Sequence, residues 1–537
     1  MGIALKKPDD EPGAAWPAIV IGLFVAFGGV LFGYDTGTIS GILQMPVWQG
    51  LFAKGNVNAE GDPQVSSGDE SLIVSILSLG TFLGALTAAP VADFFGRRLG
   101  LILSSAVVFN LGVILQTIAT NQPPFIAGRF FAGYGVGLIS AMIPLYQSET
   151  SPKWIRGTIV GAYQLAITIG LLLAAIVNNA TQNRNDTGSY RIPVALQFVW
   201  SIVLCGGMLV LPETPRFHIK KGQNEKAAKA LSKIRRLPID HPGLVSELAE
   251  VRAAHNFEMS QKSSAGYADC FKGTIGKRLL TGCALQALQQ LSGVNFIFYY
   301  GTSYFTRAGF QDPFIIQVIT NTINVVSTFP GLYLVEKLGR RGLLLMGAIG
   351  MTVSQFIVAI TGTAAGTTDL SAQRAAIAFV CIYIFFFASS WGPVAWVVTG
   401  ELFPLKVRAK ALSMTTATNW LLNFVIAFST PYIVDEEHGN LQSRVFFIWG
   451  SCCALSIVFV WALIYETKGL TLEQVDELYG LVDKAWKSKE FRPALSFHEA
   501  QNEGGQGMSM RQMSIAQSER RASQAHAKDV SYAKEQP

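Results

Sequence analysis

Long apolar stretches alternate with short polar ones along this chain, and the stretches lack the 3.6-residue periodicity of amphipathic helices in soluble proteins. A helix that crosses a bilayer needs ~20 apolar residues. Twelve runs approach that length, at about 16–43, 71–91, 99–119, 124–148, 158–178, 193–211, 279–305, 313–335, 343–363, 374–400, 409–433 and 442–464. Six precede and six follow a polar segment from 212 to 278. The pattern predicts an all-α membrane protein with twelve transmembrane helices in two pseudo-symmetric six-helix halves. It divides the chain into a polar leader (1–15), a first half (16–211), a helical linker (212–278), a second half (279–465) and a tail (466–537). Within the linker, 224–236 and 244–258 read as helices separated by Pro238 and Pro242. The tail opens on a helical pattern capped by Thr471, and from about Ser496 its composition predicts disorder.

The two halves share their charged punctuation. Glu149-Thr-Ser-Pro152-Lys-Trp-Ile-Arg156 returns as Glu401-Leu-Phe-Pro404-Leu-Lys-Val-Arg408. Upstream of each stands a second pair, Asp93-Phe-Phe-Gly96-Arg97-Arg98 and Glu336-Lys-Leu-Gly339-Arg340-Arg341. A weaker echo follows, Pro212-Glu213-Thr214-Pro-Arg216 against Tyr465-Glu466-Thr467-Lys-Gly469. Tandem halves around a midplane site are a common carrier architecture.

Charge sets the expected orientation. The net charge is +6, but the linker from Pro212 to Arg278 holds thirteen Lys/Arg against seven Asp/Glu, whereas the loop from Gln44 to Glu70 has Lys54 against four acids. The positive-inside rule then places the linker and both termini in the cytoplasm, and the basic excess is topological rather than a nucleic-acid footprint. Sequons at Asn179 and Asn185 fall on the opposite side, Asn185 being the better glycosylation candidate because Asn179 lies close to the bilayer. Six cysteines give neither a disulfide framework nor metal-ligand spacing, and no cofactor is expected. The first run is too long for a signal peptide, and Lys6 disfavours a myristoyl anchor on Gly2. Arg511-Gln-Met-Ser514 and Arg520-Arg521-Ala-Ser523 match basophilic kinase sites, which makes a kinase or trafficking factor a candidate partner of the tail.

Polar residues inside spans carry the chemistry. Asp35 in span one and Arg129 in span four stand at similar depth, ~8–11 Å from the outer boundary at ~1.5 Å per residue. A charge costs ~2.5–3.5 kcal/mol at a helix centre, so the two are expected to pair, either as a static strut or as a titratable carboxylate coupled to transport. Uncharged amides form a second group: Gln164, Gln286, Gln289, Gln290, Asn295, Asn321, Asn324, Asn419 and Asn423. Amides offer donor and acceptor together, and beside aromatic faces they suit a neutral polyhydroxylated ligand. Gly128, Gly133, Gly135 and Gly137 in span four predict close helix approach, and Trp391-Gly392-Pro393 predicts an interruption of span ten. No nucleophile–base or metal constellation of an enzyme is apparent.

On these motifs, with Phe32-Gly-Tyr-Asp35-Thr-Gly, Pro144-Leu-Tyr146 and Gln289-Gln290-Leu-Ser-Gly-Val-Asn295 added, residues 16–480 resemble the sugar porters of the major facilitator superfamily, and most closely the fungal hexose transporters. The resemblance implies the major facilitator fold and a monosaccharide, most simply glucose, bound by Gln164, Gln289, Gln290, Asn295, Tyr299, Asn321, Trp396 and Asn419. It implies proton coupling through Asp35 with Arg129, as in symporting relatives, although passive yeast hexose carriers also keep the acid. The repeated motifs fall at cytoplasmic helix ends, so Asp93, Arg97, Arg98, Glu149, Arg156, Glu213, Arg216, Glu336, Arg340, Arg341, Glu401, Arg408 and Glu466 are expected to form a cytoplasmic gate, as two halves of one inner latch. Two positions depart from the pattern: Ala388 stands where animal facilitators carry Glu, and Tyr465 stands for Pro. The expected protein is a multi-pass plasma-membrane hexose transporter. A passive facilitator, a carrier of another sugar, polyol or quinate, and a non-transporting sugar sensor are the alternatives.

Overall fold

The computed structural model describes residues 14, 16–57, 61–152, 155–260, 267–307, 312–364, 370–404, 407–434, 439–470 and 472–491. Thr471, Ser514 and Ser523 lie outside them, and so does the Arg156 side chain. Regular structure among the described residues is helical, apart from one isolated bridge between Val57 and Pro63.

Eleven of the twelve expected spans are helices long and apolar enough to cross a membrane. They are Trp16–Ile42, Ser67–Phe95, Arg97–Ile118, Gln122–Thr150, Thr158–Thr181 and Gly188–Val210 in the first half, and Pro313–Leu338, Arg340–Ala364, Arg374–Leu402, Lys410–Val434 and Gln442–Leu463 in the second. The seventh span is broken into Gly273–Leu291 and Val294–Arg307. Gly293 makes the break with φ +82°, a left-handed conformation that side chains resist. The tenth span bends differently from expectation. It stays helical through Trp391-Gly392-Pro393 but widens into a π turn over Phe387–Trp391, a wide turn well suited to the missing N–H of Pro393.

Close packing in the first half depends on glycine. A Cβ on Gly133 or Gly137 of span four would collide with the carbonyl oxygens of Leu77 or Thr81 on span two. Between halves, span two packs on span eleven, span five on span eight, and the second part of span seven on span one. The linker folds as Pro215–Lys220, Asn224–Arg235 and Pro242–Ser260 around a small core of Ile219, Ala227, Leu231, Leu244 and Leu248. It lies at the end of the bundle where span one begins, with the Arg236 guanidinium 4.4 Å from the Trp16 ring centroid. We call this the linker end and the opposite one the far end.

Candidate transport site

The charge pair expected from depth alone is formed. Arg129 Nη1 lies 3.3 Å from Asp35 Oδ1, both side chains at most 2% exposed, and Arg129 Nε donates to the Ile73 carbonyl at 3.3 Å. Each partner keeps one atom without a hydrogen bond, Asp35 Oδ2 and Arg129 Nη2.

The amides of spans seven and eleven form a knot. Asn419 Nδ2 donates to Gln286 Oε1 at 2.7 Å and to Gln289 Oε1 at 2.8 Å, and its Oδ1 accepts from Gln290 at 2.9 Å. Gln290 Oε1 accepts from Asn295 and, at 3.3 Å, from Asn423. Asn423 Oδ1 accepts from Tyr299 at 3.0 Å and from Ser78 of the other half at 2.6 Å. Gln289 Nε2 reaches the Trp391 and Gly392 carbonyls at 2.9 and 3.2 Å, which ties the knot to the π turn of span ten. The break in span seven lets both its parts face span eleven.

Three of the expected sugar residues are not bonded into this knot. Gln164 is half-buried on span five, its amide nitrogen 3.5 Å from where a Cβ on Gly392 would stand. Trp396 is half-buried, one turn from Thr399, which accepts from Gln286 at 3.4 Å. Asn321 is buried on span eight, donates to the Gln317 carbonyl at 2.8 Å and leaves its Oδ1 unpartnered. The expected sugar set left out Ser78, Gln286 and Asn423, which the knot includes. No pattern marks a lone serine such as Ser78, but Gln286 stands three residues before Gln289 and Asn423 four after Asn419, spacings that put each pair on one helix face.

At the linker end the repeated motifs build one circuit twice. In the first half Glu213 accepts the N–H groups of Arg97 at 3.2 Å, Arg98 at 3.0 Å and Thr214 at 2.9 Å, capping the start of span three. Thr214 donates to Glu149 at 2.5 Å, and Glu149 pairs with Arg97 at 3.0 Å. In the second half Glu466 accepts from Arg340 at 2.9 Å, Arg341 at 3.1 Å and Lys468 at 3.1 Å. Thr467 donates to Glu401 at 2.7 Å, and Glu401 pairs with Arg340 at 2.7 Å. Gly96 and Gly339 precede the capped turns with φ +90° and +82°, and a Cβ on either would strike the capping carboxylate. Asp93 pairs with Lys220 at 2.8 Å and Arg97 at 3.7 Å, and Glu336 with Arg340 at 3.3 Å. Arg98 and Arg341 donate to carbonyls at the ends of spans six and twelve, Leu209 and Trp461. Arg408 donates to the Phe403 carbonyl at 3.0 Å, and Arg216 is exposed.

Among the described residues, Arg97–Glu149 and Arg340–Glu401 each join two spans of the same half, while the Arg156 side chain of the expected latch lies outside them. Burial outweighs the N–H donors and Arg97 around Glu213 and holds its carboxyl above the ordinary carboxylate value. Tyr465, the departure from Pro, donates to the Val482 carbonyl at 2.9 Å and packs on Tyr479 at 4.3 Å, so it fastens the start of the tail.

At the far end, hydroxyls and an amide cross between the halves. Ser40 and Thr302 hydroxyls lie 3.1 Å apart, Gln44 donates to Ser303 at 2.8 Å, and Ser71 donates to the Phe428 carbonyl. Nearer the linker end, Ser413 donates to the Ala85 carbonyl at 3.2 Å. Asn185, the sequon residue, is exposed in the far-end turn between spans five and six.

Comparison with known proteins agrees with this architecture. A family profile described as "Sugar (and other) transporter" matches residues 21–479. The chain is 63% identical to the major facilitator-type transporter ecdD of Aspergillus rugulosus, over 92% of this chain and 93% of that protein. It is 52% identical to the probable glucose transporter rco-3 of Neurospora crassa, over 93% and 85%. The high glucose sensor RGT2 of Saccharomyces cerevisiae is 42% identical, over 89% of this chain but 63% of its own length. Among solved structures, the proton:xylose symporter XylE bound to 6-bromo-6-deoxy-D-glucose superposes with a TM-score of 0.73 at 26% identity, covering 87% of this chain and all of the other. Repeated halves, broken seventh span and buried amides thus converge with the sequence relatives: the chain belongs to the sugar porters of the major facilitator superfamily, among the fungal hexose transporters, and is a multi-pass membrane transporter rather than an enzyme.

Proposed function

We propose that the protein carries hexoses, glucose foremost, across the plasma membrane by alternating access, with a proton taken up and released at Asp35. The observation that carries the substrate class is the amide knot. It is buried, uncharged and made of groups that donate and accept, so a neutral polyol can exchange its hydroxyls for the amides' bonds to one another. An anionic substrate would call for a buried cation of its own, and Arg129 is matched by Asp35. In this reading Gln289, Gln290, Asn295, Tyr299 and Asn419 hold the sugar from the second half, Gln164 faces it from the first, and Asn321 and Trp396 complete the pocket. Glucose is supported by the 52% likeness to a probable glucose transporter.

The unpartnered Oδ2 of Asp35 is the atom assigned to the proton. Protonation there neutralises the carboxylate and releases Arg129 from its partner, which lowers the cost of separating spans one and four; deprotonation on the other side restores the pair. The basic linker sets the linker end in the cytoplasm. Proteoliposome uptake of a sugar panel at two pH gradients tests substrate and coupling together. Asp35→Asn is expected to abolish sugar-driven proton uptake while leaving sugar exchange, and accumulation against a gradient that survives this substitution removes Asp35 from the coupling. The likeness to a glucose sensor supports a second reading, sensing without transport, and absence of any sugar flux with retained binding would favour it.

A further inference from the structure

The cations of the linker are unevenly placed on its surface. The helix Asn224–Arg235 buries Ala227, Ala228, Ala230, Leu231 and Ile234 on one side. Lys226, Lys229 and Lys233 are all exposed on the other, at the i, i+3, i+7 spacing that lines up one helix face. Among the described residues none of the three forms an ion pair, whereas Lys220 is held by Asp93 and Arg235 by Glu247. Arg236 ends this row with φ +51°, a left-handed conformation unfavourable for any residue with a Cβ. Two contacts hold it there. The Arg235 carbonyl accepts the Ala14 N–H at 3.0 Å, and the Arg236 guanidinium stacks on Trp16. Trp16 in turn marks the bilayer. With Val20 and Leu23 it forms a stripe along the start of span one, each residue more than half exposed, and on a membrane-spanning helix such a stripe faces lipid. A tryptophan at the end of the stripe sits at headgroup level, so the guanidinium stacked on it stands there too. Positive-inside topology asks for a count of cations in the linker. It does not ask that they share one face, or that one be laid on the boundary tryptophan.

We infer that this face of the linker binds anionic phospholipid headgroups of the leaflet at the linker end, with Arg236 on the lipid phosphate and Lys226, Lys229 and Lys233 supplying the field that selects negative lipid. The leaflet rests on the orientation proposed above, which makes it the cytoplasmic and hence the anionic one; the surface itself depends neither on that orientation nor on the sugar. A guanidinium can keep its face on an indole and still offer N–H groups to a phosphate. Each lysine close to an anionic surface strengthens association about fivefold, and its reach is a Debye length, ~8 Å at physiological salt. Exposed acids flank the row without interrupting it, Glu225 before Lys226 and Asp240 after Arg236. The tail carries a weaker copy of the arrangement. Leu455, Val458 and Trp461 form the lipid-facing stripe at the end of span twelve, Trp461 stacks on Trp486 at 4.7 Å, and Lys484 lies 5.3 Å from the Trp486 ring. There Lys484, Lys487 and Lys489 are closely bounded by the exposed Asp483 and Glu490, so less field remains. Arg235 also donates to the Thr150 carbonyl at 3.1 Å, at the end of span four. A lipid held on this face therefore fixes the linker and the first half to the membrane surface.

The test measures how strongly the purified full-length carrier retains labelled phosphatidylserine over labelled phosphatidylcholine from mixed micelles. The unmodified chain is expected to prefer phosphatidylserine roughly tenfold at low salt and to lose most of that preference at about 1 M salt. Lys226→Gln, Lys229→Gln and Lys233→Gln together should bring the ratio to within about twofold of unity, whereas Lys226→Arg, Lys229→Arg and Lys233→Arg together should keep it. Lys484→Gln, Lys487→Gln and Lys489→Gln in the tail should leave most of it in place. If the linker glutamine variant melts below the parent, Lys229→Gln alone replaces it, with an expected loss of about threefold. An unmodified chain without the preference, a linker glutamine variant that retains it, an arginine variant that loses it, or a loss confined to the tail variant would overturn the surface. Labelling of Lys233→Cys on intact cells by an impermeant thiol reagent would instead overturn the orientation, and with it the choice of leaflet.

Discussion

The two ends of the bundle are held by opposite chemistry. At the linker end, the described carboxylate–guanidinium pairs lie inside each half. At the far end, hydroxyls and amides reach across from one half to the other. The difference assigns the ends different work. A neutral hydrogen bond contributes about 0.5–1.5 kcal/mol net and can be exchanged for water, whereas breaking one partner out of a buried ion pair costs about 3–5 kcal/mol. Under the proposed alternating access, the described far-end contacts are cheap to part, whereas the described ion pairs hold spans together within each half.

The largest expected effect comes from opening a circuit. Glu149→Gln or Arg97→Ala should destabilise the carrier by about 3–5 kcal/mol, seen as a lower melting temperature and reduced yield of folded protein, and Glu401→Gln should do the same in the second half. A variant that melts like the parent but shifts the balance between open states would favour the gate reading. A smaller effect follows from the far end. Ser40→Ala with Thr302→Val should leave the melting temperature within a few degrees and raise far-end access roughly two- to tenfold, read from thiol labelling of Ser303→Cys. Unchanged labelling would place the closing contacts elsewhere.

The smallest effect is a pH dependence peculiar to the first circuit. The Glu213 carboxyl titrates above its ordinary value of 4.5 in the folded chain. The folded state then holds more protons than the unfolded one just above that value. Stability is predicted to fall as pH rises from about 4.5 through the raised folded value. Glu213→Gln should flatten that slope in melting curves taken across pH; a slope that persists would assign it to another group.

Much of this was legible in sequence. Apolar run length located the spans, depth counting brought Asp35 to Arg129, and the weakest of the three repeats, Pro212-Glu213-Thr214 against Tyr465-Glu466-Thr467, proved to be the closing member of both circuits. What was not legible depends on which groups face each other. The same motif spacing serves a circuit within one half or a latch between two, and only packing decides. Gln290 and Asn324 look alike as intramembrane amides, yet one is bonded on its oxygen and the other is not. The break in span seven at Gly293 was hidden too, since a glycine within an apolar run is read as a packing site until its φ is known.

The position of the capping carboxylates also bears on how the chain is assembled. Glu213 and Glu466 each follow the sixth span of their half, yet they cap the first turn of the third. During synthesis, the N–H groups at the start of span three must wait for three further spans to emerge before their acceptor exists. Each half is thus stitched shut by nearly the last residues it receives, and a chain stopped short of either glutamate leaves an uncapped helix end at the membrane boundary, a local defect by which incomplete halves differ from finished ones.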